Sequence, residues 1–161
     1  FGVLAAAGDS FVSGRRIQAA KDFFDRHRDA SWQLELVDYG EQLPQALEGT
    51  QRMLDSPNPP TAMITFNDMM AFGAMRCLHS AGVSIPEEME IIGFDDIPLS
   101  SYMTPALSTI SAPNRKLGEK AAELLLRRLS TGKSFSQCIL YPVELRLRET
   151  TKNLVSLKDF L

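Results

Sequence analysis

The stretch from Pro60 to Asp96, PTAMITFNDMMAFGAMRCLHSAGVSIPEEMEIIGFDD, leaves this chain little choice of fold. Ala62 to Phe66 is a short apolar, partly β-branched run that ends at the polar pair Asn67-Asp68. A nearly all-apolar segment with helical spacing follows and stops at Ala81-Gly82. A second apolar run, Met89 to Phe94, ends at Asp95-Asp96. Two short runs joined by such a helix form a strand–helix–strand unit. Each strand empties into polar residues at its carboxyl end, and in open parallel sheets that end is where the loops form a ligand crevice. Asn67 and Asp95 are expected to leave neighbouring strands on the same side and converge on one small polar molecule.

The same alternation runs along most of the chain. Gly2 to Ala7 reads as a buried strand with Gly8-Asp9-Ser10 as its exit loop. A helix is predicted from Ser13 to about Arg28, with Ile17, Ala20 and Phe24 on one stripe. Gln33 to Val37 is the second strand, and Gln42 to Ser56 the next helix, whose Leu43, Ala46, Leu47, Thr50, Met53 and Leu54 keep the spacing that buries one face. The run Ser56-Pro57-Asn58-Pro59-Pro60 blocks helix and strand alike. Asn67 stands at an N-cap position, with Asp68 in the first turn facing the positive helix end. Gly82 fits the left-handed residue just past the helix. That helix carries two apolar stripes: Met70, Ala74, Leu78 and Ala81, and also Met69, Phe72 and Met75. One stripe suffices for a sheet, so the second is expected to meet another subunit or a neighbouring segment. Leu107 to Ser111 is a short fifth strand, Asn114 to Leu129 a strong helix, and Gln137 to Arg148 reads as β, interrupted by Pro142. The fold class is therefore α/β, a doubly wound parallel sheet with helices on both faces.

Composition narrows the function. The chain has 161 residues, near the length of one domain, and its 44% apolar content supports a core. A net charge of −3 lacks the basic face that would neutralise phosphates, so this segment alone is not expected to hold DNA. Cys77 and Cys138 are too few for a disulfide framework, and Cys77 reads as a small hydrophobe inside an apolar helix. No stretch reaches the ~20 apolar residues of a membrane span. Catalytic motifs are also missing from the sequence: there is no glycine-rich phosphate loop after a strand and no nucleophile elbow. His27 and His79 fall on separate helices without an obvious nucleophile partner. No metal or cofactor is expected.

The order Phe66-Asn67-Asp68-Met69-Met70-Ala71-Phe72-Gly73-Ala74-Met75-Arg76, then Val83-Ser84-Ile85-Pro86-Glu87-Glu88, then Ile92-Gly93-Phe94-Asp95-Asp96-Ile97 resembles the effector-binding domain of the lactose-repressor/galactose-repressor (LacI/GalR) family of bacterial regulators. Leu107-Ser108-Thr109-Ile110 and Leu147-Arg148-Glu149-Thr150-Thr151 extend the likeness, which covers the chain from about Gly2 to Thr151. It implies the C-terminal portion (1–151) of a periplasmic-binding-protein-like effector domain, incomplete here, with 152–161 as a terminal appendage. The chain is expected to be a piece of something longer. The resemblance further implies a cytoplasmic, homodimeric repressor that is not an enzyme. It would sense a small polar effector, such as a sugar, and reach operator DNA through an N-terminal helix-turn-helix. A periplasmic sugar-binding protein of a transporter is the alternative.

By this resemblance, Asp95 accepts hydrogen bonds from effector hydroxyls, against the alternative of a turn-capping aspartate. Asn67 either contacts the ligand or caps the helix, or does both, while Asp68 and Asp96 are structural. Arg16 matches the family's ligand-contacting arginine, against the alternatives of Arg15 one residue earlier or a solvated surface charge, although Ala19-Ala20 replace the usual glycine and aromatic after it. Tyr39 would stack on a ring face, although Pro44-Gln45 depart from the small residue and glycine that relatives carry there. Ser10 and Ser13, in the first exit loop, are further candidates for ligand contact. Met69, Phe72, Met75 and Tyr102 are assigned to the dimer interface, against the alternative of internal core. The leucine face of 114–129 belongs to the family's other subdomain, and is expected either to refold onto this sheet or to contact a second copy.

Overall fold

The computed structural model describes residues 1–7, 11–27, 31–38, 42–133 and 137–152. The chain order is β1 (Gly2–Ala7), α1 (Phe11–Arg26), β2 (Gln33–Asp38), α2 (Gln42–Leu54), β3 (Ala62–Thr65), α3 (Asp68–Ser80), β4 (Glu90–Phe94), a 3₁₀ turn (Pro98–Ser101), β5 (Ser108–Ser111), α4 (Asn114–Thr131) and β6 (Glu144–Arg146). One sheet runs β2-β1-β3-β4-β5-β6. Its first five strands are parallel, and β6 pairs antiparallel with β5 at the edge.

This order follows from connection handedness. The step from β1 to β2 goes one way along the sheet, while those from β2 to β3 and β3 to β4 go the other. Right-handed crossovers then place α1 on one face and α2 and α3 on the opposite face. The side chains agree: Val3 and Ala5 cluster with Phe24 of α1, whereas Leu4, Ala6, Met63 and Ile91 cluster with Ala46, Met70, Ala74 and Leu78. Alternation along each strand divides the two sets. Close approach depends on small residues. A Cβ at Gly49 of α2 would stand 2.7 Å from Val37 Cγ1 and 2.8 Å from Leu4 Cδ1, and one at Gly73 of α3 would stand 2.5 Å from the Leu43 carbonyl of α2.

The ends of α3 form as the sequence requires. Asn67 accepts from the Met70 amide at 2.8 Å. At the other end Val83 N–H reaches Leu78 O at 2.9 Å and Gly82 N–H reaches His79 O at 3.2 Å, the pair of bonds that closes a helix on a left-handed glycine; Gly82 has φ 73°.

Three expectations are narrowed. Of the two covers expected for the second stripe of α3, the structure shows the neighbouring segment: Phe72 and Met75 are 6% and 5% exposed within the single chain. They share a cluster with Ile97 and Met103 of the loop after β4 and with Val83 and Ile85, and Met69 packs partly buried against the same cluster. The β reading of Gln137 to Arg148 holds only for the three residues of β6. Of the two courses expected for the leucine face of α4, folding back onto the sheet is not taken: none of its residues is buried, and Leu125, Leu126 and Leu129 are 57%, 66% and 72% exposed. Cys77 is a buried free thiol whose pKa is raised, by burial first and by Asp55 second. Among the described residues no helix is long and apolar enough to cross a membrane.

Candidate functional site

Strand order reverses between β1 and β3, and in sheets of this kind the crevice at the carboxyl ends beside such a reversal takes the ligand. α1 leaves β1 at that point and carries Arg16 across to the ends of β3 and β4. Arg16 Nη1 donates to the Phe66 carbonyl at 2.5 Å, and its Nη2 lies 3.8 Å from Asp95 Oδ1. The guanidinium sits 3.6 Å above the Phe94 ring and 4.7 Å from the Phe66 ring centroid. Phe66 and Phe94 stand opposite one another if the β3–β4 register, Ile64 against Ile92, is continued. The two rings thus make an apolar floor that holds the cation by its face. The Asp95 side chain is 45% exposed beside it.

Asp95 and Asp96 take φ values of 111° and 52°, the left-handed region that side chains other than glycine rarely occupy. Such conformations concentrate at binding sites, because surrounding contacts must hold them in place. Burial, opposed by the Arg16 charge and reinforced by that of Asp68, keeps the Asp95 carboxyl above the ordinary aspartate range.

Asn67 caps α3: its side chain accepts from Met70 N–H and the residue is 6% exposed, whereas the Asp95 side chain at the same rim is open. Ser13, on α1, is 2% exposed. Tyr39 and Ser10 lie outside the described residues. Among the described residues no group of three or more His, Cys, Asp or Glu side chains is placed to hold a metal ion.

Residues 1–151 match the model of the periplasmic binding protein-like domain family. The probable HTH-type transcriptional repressor ExuR of Bacillus subtilis (strain 168) is 38% identical over 109 residues, which are 68% of this chain and 33% of that protein. The lactose operon repressor of Rhizobium radiobacter is 39% identical over 93 residues, 58% of this chain and 81% of that protein. The chain belongs to the LacI family. A LacI-family transcriptional regulator from Enterococcus faecium, solved with bound ribose, superposes with a TM-score of 0.81 at 30% identity, over 95% of this chain and 57% of that one. The chain thus spans about a third of the ExuR relative and somewhat over half of the solved regulator.

Two features of this LacI-family domain make long-range contacts that no local pattern in the sequence encodes. The first is Asp68, expected only to face the helix dipole. It is 1% exposed, and its Oδ2 accepts from Ile97 N–H at 3.0 Å and Ser100 Oγ at 2.6 Å, while Oδ1 accepts from Thr109 Oγ1 at 2.5 Å. The second is the strap Leu147 to Lys152. Thr150 lies between the starts of β4 and β5: its O and Oγ1 meet Ile91 N–H and Ile91 O at 2.9 and 2.7 Å, and its Oγ1 takes Ser108 N–H at 2.9 Å. Arg148 bonds Leu107 O at 2.7 Å through Nη1 and Asp96 Oδ1 at 2.6 Å through Nη2.

Burial alone would raise the Asp96 pKa, but hydrogen bonds from Arg148 and Ser111 and the charges of Arg148 and Arg146 outweigh it and hold the carboxyl below the usual range. A lowered folded pKa stabilises the fold above the unfolded value, and that stability disappears as pH falls through the folded value. Arg148→Ala removes charged hydrogen bonds, each of which contributes about 1.5–3 kcal/mol. The variant is expected to lose stability at neutral pH in urea titrations. It should also show a smaller further loss than wild type between the ordinary aspartate range and more acid pH.

Two cavities lie away from the rim. One, of about 470 Å³, is lined by Phe72, Met75, His79, Val83, Met103 and Pro105, and the other, of about 440 Å³, by Phe1, Trp32, Gln33, Pro57, Asn58 and Pro60. Neither holds an ionised pair with strained backbone such as Arg16 and Asp95 form.

Proposed function

We propose that this domain is the effector-sensing part of a cytoplasmic, dimeric transcriptional repressor, and that it binds a small polyhydroxylated molecule, a sugar or related metabolite, at the rim formed by Arg16 and Asp95. The observation that carries the proposal is the placement of a half-exposed carboxylate beside a guanidinium held over Phe94, at the carboxyl end of β4, which Arg16 of α1 reaches from the side of the β1–β3 reversal. A carboxylate accepts hydrogen bonds from two vicinal hydroxyls, and a guanidinium donates to a third oxygen in a fixed plane. Asn67, Ser13, Tyr39 and Ser10 complete the proposed contact set, with Asn67 acting chiefly through its cap. The repressor names of the relatives favour this reading over a transporter component.

In the whole protein the effector would be enclosed between this rim and a second subdomain, and operator DNA would be held by a helix-turn-helix outside this segment. The exposed leucines of α4 would be covered by that subdomain or by a second copy. Tyr102, 81% exposed, would supply the dimer contact, with the partly buried Met69 and the edges of Phe72 and Met75 behind it. An effector that favours the closed form changes DNA affinity, and DNA changes effector affinity by the same factor. The test is a thermal-shift screen of the full-length protein with mono- and disaccharides, followed by operator binding with each positive compound. The expected result is a sugar that both raises Tm and alters DNA affinity. No shift with any sugar, together with tight binding of an unrelated compound class, would contradict it.

A further inference from the structure

Asp68 is the buried acid that the proposed function leaves unused. A buried carboxylate is costly unless its oxygens are hydrogen-bonded. The start of α3 offsets part of that cost through the helix dipole, but Asn67 already caps this helix, so the helix does not need a second acceptor. What the Asp68 carboxylate does instead is join three distant points: Ile97 N–H, the Ser100 hydroxyl and the Thr109 hydroxyl of β5. β4 makes room for it, since a Cβ on Gly93 would fall onto Asp68 Oδ1.

These three points surround the strained pair Asp95-Asp96. Asp95 N–H is held by Ile110 O at 2.9 Å on one side, and Ile97 N–H by Asp68 at 3.0 Å on the other. Left-handed conformations at non-glycine residues are strained, and they persist only where the surroundings fix them. The same carboxylate holds Ser100, whose carbonyl receives Leu107 N–H at 2.8 Å, and Tyr102 follows two residues later.

We propose that Asp68 is the positioning residue of the effector rim: its buried carboxylate fixes the turn that presents Asp95 and ties that turn to the loop carrying Tyr102. The proposal rests on the reading that Asp95 meets the effector. It makes the ligand-facing turn and the outward-facing loop one unit, so that a displacement of Asp95 is felt at Tyr102.

The test uses the full-length protein without effector, so a failure here is separable from a failure of the sugar-sensor reading. In Asp68→Ala, amide hydrogen exchange at Ile97 and from Leu99 to Tyr102 is expected to accelerate at least about tenfold relative to core amides such as Leu4 and Met63. Asp68→Asn keeps the volume and an acceptor but removes the charge. Among the described residues, Arg16 on α1 and Asp68 on α3 are the charges that act on Asp95, with Asp96, paired to Arg148, next in sequence. The Asp95 carboxyl ¹³C titration in Asp68→Asn is therefore expected to move to lower pH, a shift that a merely structural role would not produce. If Asp68→Ala does not fold, Ser100→Ala is expected to accelerate exchange from Leu99 to Tyr102 while leaving Ile97 protected. Uniform acceleration across the core, or an Asp95 titration unmoved in Asp68→Asn, would overturn the proposal.

Discussion

Asp95→Asn in the full-length protein is expected to weaken effector binding roughly 10- to 100-fold, because hydrogen bonds to an ionised acceptor contribute about 1.5–3 kcal/mol. The amide retains one acceptor oxygen, but it presents a donor where a second hydroxyl needs an acceptor. Thermal stability should change little, since the Asp95 side chain is 45% exposed and its ion pair with Arg16 is long at 3.8 Å. Asp95→Gly separates backbone from side chain. At φ 111° glycine removes a strain of about 1–3 kcal/mol, which offsets its greater freedom in the unfolded chain. This variant should unfold no lower than wild type while losing effector binding. Raised Tm together with lost binding is the signature of a strained residue kept for function rather than stability.

The pH dependence follows from the same residue. The Asp95 carboxyl is held above its ordinary range, by burial first. Its folded pKa therefore exceeds its unfolded one. The stability it contributes is complete below the unfolded value and is lost as pH rises through the folded value. Effector affinity runs the other way: it falls as acid protonates Asp95, at a higher pH than an ordinary aspartate would set.

The largest expected loss of stability comes from Gly93→Ala. The added Cβ would fall on Asp68 Oδ1 and stand 3.0 Å from Leu107 Cδ2. Asp68 Oδ1 accepts from Thr109 Oγ1, the other oxygen of that carboxylate accepts from Ile97 N–H and Ser100 Oγ, and Leu107 is fully buried, so neither neighbour gives way cheaply. Overpacking of this kind costs about 1–3 kcal/mol, and loss of a bond to the buried carboxylate adds about 1–3 kcal/mol more. In a domain of this size each 1 kcal/mol lowers Tm by about 2–4 °C, so a fall of at least about 4 °C is expected in differential scanning calorimetry. Gly132→Ala is a control: nothing lies within 4 Å of its added Cβ, and only its φ of 65° is strained.

These effects show which parts of the molecule were legible in the sequence. The strand–helix–strand unit was, because periodicity, the Asn67 cap and the Gly82 stop are local signals that tertiary packing did not override. The meeting of Arg16 with Asp95 came from family resemblance, since nothing in the spacing of two residues 79 positions apart brings them together. Asp68 was read only as a first-turn acid, because a residue at a helix start looks the same whether it faces water or three distant donors. Phe72 and Met75 were assigned outward because a second apolar stripe does not reveal whether its cover is a partner or the chain's own loop; here the Ile97–Met103 loop supplies it. The strap at Thr150 was recognised as a motif, but its insertion between β4 and β5 rests on long-range hydrogen bonds that no local pattern encodes.

The central claim is that the effector is held at the Arg16–Asp95 rim. The most direct measurement is amide chemical-shift mapping of the full-length protein with a sugar that raises its Tm, in parallel with Asp95→Asn. The account predicts that the largest shifts fall from Asp95 to Ile97 and around Arg16, and that the variant shows none of them at the same sugar concentration. Shifts centred instead on the Phe72–Val83–Met103 cavity or the Phe1–Trp32–Pro57 cavity, or equal shifts in Asp95→Asn, would contradict it.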